Sequence, residues 1–68
     1  MIKVKGPTAE VPLEGISGTS TESVAAQEYD CDKTKFCGFD GDLIIICIEA
    51  AQDVEDAILA DARFAVVE

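Results

Sequence analysis

Apolar and polar positions alternate from the first residues of the chain. In MIKVK, Ile2 and Val4 face one way and Lys3 and Lys5 the other, the period of a half-buried strand over residues 2–5. Gly6 and Pro7 end it. AEVPLEGI alternates again through Val11, Leu13 and Ile16, but Pro12 has no N–H to give a ladder, so this segment predicts an edge strand or an extended loop. GISGTST then reads as a turn, dense in glycine and hydroxyl residues. Thr19 followed by Glu22 matches a capping box and predicts a helix over about 20–29, with apolar positions only at Val24, Ala25 and Tyr29. A strand through SVAAQEY, residues 23–29, is the competing expectation. Residues 30–41 keep no period and read as a loop.

LIIICI, residues 43–48, is apolar on both faces, as expected of a strand in the middle of a sheet. QDVEDAILADAR follows with a helical period: Ala51, Val54, Ile58 and Ala62 fall on one arc, and Asp53, Asp56 and Asp61 on the opposite one. This predicts a helix over about 52–62. Glu55 projects near the apolar arc, where the first helical turn favours its charge and water stays within reach. RFAVVE closes the chain as a short strand near 64–67. A right-handed crossover would make the strands on either side of the helix parallel neighbours or near neighbours. The expected fold is a small single α+β domain with a mixed β-sheet centred on residues 43–48. If residues 23–29 are strand, the domain becomes mostly β with one helix.

The chain has 68 residues, and a domain of that size buries only about 60% of the surface its unfolded form exposes. An apolar fraction of 49% nevertheless separates it from disordered acidic tails. Fourteen acids against five cationic residues, with no histidine, give a net charge of −9. That balance excludes a conventional nucleic-acid binder, which needs clustered Lys and Arg for phosphates. The longest apolar run is far short of the roughly 20 residues that span a bilayer, and the N-terminus carries no signal-peptide pattern, so a cytoplasmic location in the producing cell is expected. Three cysteines, an odd number without a secretory signal, fit reduced thiols better than a disulfide framework. Cys31 and Cys37 are the pair whose intervening loop would allow a bridge, and Cys47, between Ile46 and Ile48, reads as a small buried hydrophobe.

The stretch EYDCDKTKFCGFDGD, residues 28–42, concentrates acids, cysteines, glycines and phenylalanines. Its DCDKT, residues 30–34, matches the letters of the DxDxT nucleophile motif of the haloacid-dehalogenase-like phosphatases. That motif follows a buried apolar strand in a much longer domain, whereas polar AAQEY precedes it here, so the match carries no activity. An EF-hand calcium loop counted from Asp30 meets Lys35 where glycine belongs and Gly41 where the bidentate glutamate belongs. Zinc would need a fourth ligand beside three unpaired cysteines. A cysteine nucleophile would lack an imidazole base. No metal, cofactor or catalytic residue is therefore expected.

The remaining candidates are contact residues. Asp40 and Asp42 read as a solvated turn closed by Gly41. Glu49, Asp53, Asp56 and Asp61 would share one broad arc if the second helix reached back to Glu49, a row able to imitate phosphates. Phe36 and Phe39 either anchor the loop to the core or form the aromatic centre of a docking surface. The expected function is non-enzymatic and exercised through protein contacts. The leading expectation is a structural or assembly subunit docking on a larger protein array or forming a homo-oligomer, such as a capsid decoration protein or accessory subunit of a virion. The alternative is an inhibitor or adaptor whose acidic face mimics nucleic acid and blocks a basic site.

Overall fold

The apolar run of residues 43–48 lies in a central strand, and the rest of the fold is arranged around it. The computed structural model describes residues 1–68 and shows a small α+β domain. In chain order its elements are β1 (Ile2–Gly6), β2 (Thr8–Pro12), β3 (Thr19–Ser23), α1 (Val24–Glu28), β4 (Lys33–Asp40), β5 (Leu43–Glu49), α2 (Gln52–Ala60) and β6 (Ala65–Val66). Four strands form one sheet in the order β4-β5-β1-β6, and β2 and β3 form a separate hairpin. β5 pairs with β1 from Ile2↔Ile48 to Gly6↔Ile44, and β1 pairs with β6. β5 and β6 run in the same direction, as the strand-helix-strand reading expects. Because β1 lies between them, every hydrogen-bonded pair of strands is antiparallel.

One face of this sheet carries the core. Val4, Ile44, Ile46 and Ile48 project from it and are covered by Ala25 of α1, Ile58 of α2 and Phe64. Leu43, Ile45 and Cys47 project from the opposite face and are only half-buried, because no helix lies over that side. Residues 43–48 therefore form a central strand covered on one face, not a strand enclosed on both. Lys3, Lys5 and Lys35 are the cross-strand neighbours of Cys47 and Ile45, and their aliphatic stems flank the apolar strip while their charges stay in water.

Phe64 is placed by a glycine. Its ring lies over Gly6, where a Cβ would collide with ring atoms Cδ1 and Cε1. Tyr29 meets the same ring edge-on, with centroids 6.4 Å apart, and the Arg63 guanidinium stands 5.2 Å from its centre.

Two elements depart from the sequence reading. Residues 20–29 are not one helix: TSTES is a strand, and helix begins only at Val24, with Ser23 as N-cap accepting from the Ala25 N–H at 3.2 Å. The hydroxyl-rich segment has no apolar stripe to bury as a helix, and β2 offers it a ladder from Thr8↔Ser23 to Pro12↔Thr19. The second departure is β4, which occupies most of the stretch expected to be loop. Its residues oppose β5 one for one except at Cys37, an extra residue between the pairs Phe36↔Ile46 and Gly38↔Ile45. This β-bulge breaks the alternation that would have marked the strand. The hairpin closes at Gly41, whose φ of 62° suits a two-residue turn.

The second helix stops at Ala60, with Asp61 as C-cap, and starts at Gln52 without reaching Glu49. Glu55 does not reach out to water. It is buried, accepts from the Ala50 N–H at 3.3 Å and lies 3.2 Å from the Met1 amino group. No helix is long and apolar enough to cross a membrane.

Candidate functional site

Phe36 and Phe39 are three positions apart, and a regular strand would send them to opposite faces. The bulge at Cys37 absorbs one residue and returns both to the same face, opposite Ile46 and Ile44. They thus lie on the core side of the sheet, but on its edge strand and beyond the cover of the helices. Phe36 is 58% exposed and Phe39 57%. The rings meet edge to face, with centroids 5.3 Å apart at 61°. Beside them runs a groove of about 410 Å³ between β4 and the β3–α1 segment, floored by Ile44, Ile46 and Ala26 and rimmed by Glu22, Asp32 and Lys33. Of the two roles open to these rings, core anchor or exposed aromatic surface, the geometry gives the second. The outer edge of β4 pairs with no other strand.

The acids expected to form a row do not share one helix face. Glu49 ends β5 and pairs across the sheet with Lys33. Asp53 and Asp56 stay exposed on α2, where Asp56 accepts from Gln52 Nε2 at 2.9 Å. Asp61 is drawn inward by Arg63, whose Nη2 donates to its carboxylate at 2.7 Å, and by the Tyr29 hydroxyl at 2.9 Å. Arg63 also donates to Glu28 at 2.6 Å, so one guanidinium joins the end of α1 to the end of α2. The Arg63 contacts hold the Asp61 carboxyl well below the usual carboxylate range. Asp61 and then Glu28 hold the guanidinium above its own usual range, and the bond to Asp61 pushes the Tyr29 phenol up. Asp40 is bound by Lys5 at 2.8 Å, which lowers its pKa, and Asp42 is exposed in the hairpin turn.

Cys31 and Cys37 are not neighbours. The Cys31 Sγ lies 3.9 Å from the Ala25 carbonyl on the core side, and burial, reinforced by Asp30 and Asp32, pushes its thiol pKa up. The thiol beside Cys37 is that of Cys47, with the two Sγ atoms 3.0 Å apart on the open face. That contact, together with burial, raises the Cys47 pKa. Cys47 is therefore a half-buried member of a thiol pair, not an isolated core residue. Cys31, Cys37 and Ser23 make their hydrogen bonds to backbone groups or to another thiol, none to a side-chain base. Nowhere do three or more Cys, Asp or Glu side chains converge to hold a metal ion.

All four lysines lie on the open face, a grouping the sequence reading missed. The alternations K-V-K and K-T-K are the signal that each pair shares a side. That the two pairs share the same side follows only from the register of β1 and β4 against β5.

No protein-family model matches the chain, and neither a curated protein nor a solved structure matches it.

Proposed function

We propose that this protein is a non-enzymatic docking subunit that joins a larger protein assembly through the aromatic edge formed by Phe36, Phe39 and β4. The observation that carries this reading is the pair of phenylalanines, each more than half exposed, in a chain with only four aromatic residues. Side chains of this kind, at the centre of a contact, supply a large share of binding energy. The groove alongside gives a partner's apolar side chain a place to enter, and the outer edge of β4 offers main-chain hydrogen bonds to an extended segment. A capsid-like array or multisubunit machine is the class of partner that fits a small acidic chain docking in this way.

The test is affinity capture from the producing cell with the immobilised wild type and a Phe36→Ser/Phe39→Ser double variant, washed at physiological salt and at about 1 M, where the Debye length falls to about 3 Å. The expected result is a stoichiometric protein that survives high salt with the wild type and is absent with the double variant. Equal recovery on both columns would overturn the reading. Loss of the partner at high salt, with abolition by Asp53→Asn/Asp56→Asn, would favour the nucleic-acid mimic instead.

A further inference from the structure

The closest approach of two reactive side chains is on the other face of the same hairpin, where the Cys37 and Cys47 thiols touch. We propose that Cys37 and Cys47 form a reversible disulfide across β4 and β5, made by exchange with an anionic low-molecular-weight disulfide of the glutathione class.

Four observations carry this. The Sγ atoms stand 3.0 Å apart across neighbouring strands, so bonding requires an approach of about 1 Å to the disulfide length of roughly 2.05 Å. Cys37 is the bulged residue, which opposes no partner in the ladder and adjoins Gly38 at φ 137°, so it can move without breaking the register. The two thiols also differ in access: Cys37 is exposed and meets a reagent first, whereas Cys47 is half-buried. A hollow of about 380 Å³ lined by Lys33, Lys35, Cys47 and Glu49 opens on this side. The lysines favour an anionic reagent, and Lys3 and Lys35 offset part of the rise in the Cys47 pKa that the Cys37 contact and burial cause. Cys31 is on the opposite face of the sheet and takes no part.

The exchange proceeds in two displacements. The Cys37 thiolate attacks one sulfur of the reagent RSSR, breaking its S–S bond, releasing RS⁻ and leaving a mixed disulfide on Cys37. The Cys47 thiolate then attacks the Cys37 sulfur, forms the protein disulfide and expels the second RS⁻. The thiol protons pass to solvent and on to the two RS⁻ leaving groups. In sum, two protein thiols and RSSR give one protein disulfide and two RSH; the cysteines lose two electrons and the reagent gains them.

The experiment equilibrates the full reduced chain with oxidised glutathione, quenches it with acid, alkylates the remaining thiols and weighs the product. The expected species is a monomer with one alkylated thiol, at Cys31, that returns to three on reduction. Cleavage at Asp40 and Asp42 separates the two cysteines in sequence, so the bridge appears as two linked peptides. Cys31→Ser should keep the bridge, and Cys37→Ser should abolish it. Three alkylated thiols after equilibration, a persistent mixed disulfide on Cys37, a bridge to Cys31 or a cross-linked dimer would each overturn the proposal.

Discussion

A single missing Cβ, at Gly6, fixes where Phe64 sits. Replacing Gly6 with alanine forces either the ring or β1 to shift, and overpacking of this kind costs about 2 kcal/mol. The measurement is the urea midpoint, and an unchanged value would mean that the ring moves aside freely. Asp61 supports a second prediction. Its folded pKa lies below that of the unfolded chain, about 3.9, so the stabilisation it gives is complete above that value and fades as the pH falls toward the folded one. Between pH 5 and 2 the wild type should lose more stability than Asp61→Asn, which has no carboxyl to protonate; thermal melts of the two proteins across that range compare the slopes. The row of acids required α2 to reach back to Glu49, but the helix starts at Gln52, and a charge on a helical wheel says nothing about a capturing partner. Arg63 reaches Asp61 only because the chain turns back directly after α2.

Among the elements, β5 was legible as an unbroken apolar run and α2 by its helical period, although the run did not reveal that only one face of β5 is covered. β4 was hidden by one residue. Without Cys37 the strand reads K-T-K-F-G-F-D, with Lys33, Lys35, Gly38 and Asp40 on one side and Thr34, Phe36 and Phe39 on the other. Deletion of Cys37 should therefore keep the register and the fold, within about 1 kcal/mol of the wild type. An alanine inserted after Lys35 should instead turn Lys33 and Lys35 toward the core side and cost several kcal/mol, since a one-residue slip reverses every side chain. Far-UV circular dichroism with urea titration of both variants checks this. The first helix was placed too early for a different reason: Thr19 and Glu22 have the spacing of a capping box, but a cap cannot create a helix where no apolar face follows. The cap in use is Ser23, and Ser23→Ala should cost about 1 kcal/mol, seen as a lower melting temperature.

For the molecule as a whole, the sequence revealed the α+β class and the net charge but not how the charge is distributed. That distribution depends on pairing between strands far apart in the chain, which local patterns do not encode. Phe36→Ser/Phe39→Ser should still fold, at a cost of about 2 kcal/mol, because each ring keeps somewhat under half of its surface out of water and packs on the other; far-UV circular dichroism checks that the variant is folded. A loss of partner binding in this variant would then report on contact alone. The aromatic edge and the thiol pair lie on opposite faces of the same hairpin, so the two proposals fail or stand separately.

The four lysines on the uncovered face have a practical consequence. Acylating reagents reach all four lysine amines from one face of the sheet, whereas the α-amino group of Met1, beside Glu55, reacts separately. In any complex, the reactivity of Lys3, Lys5, Lys33 and Lys35 therefore shows whether that face is turned toward the partner or toward water, and the cysteine pair between them is shielded or left open with it.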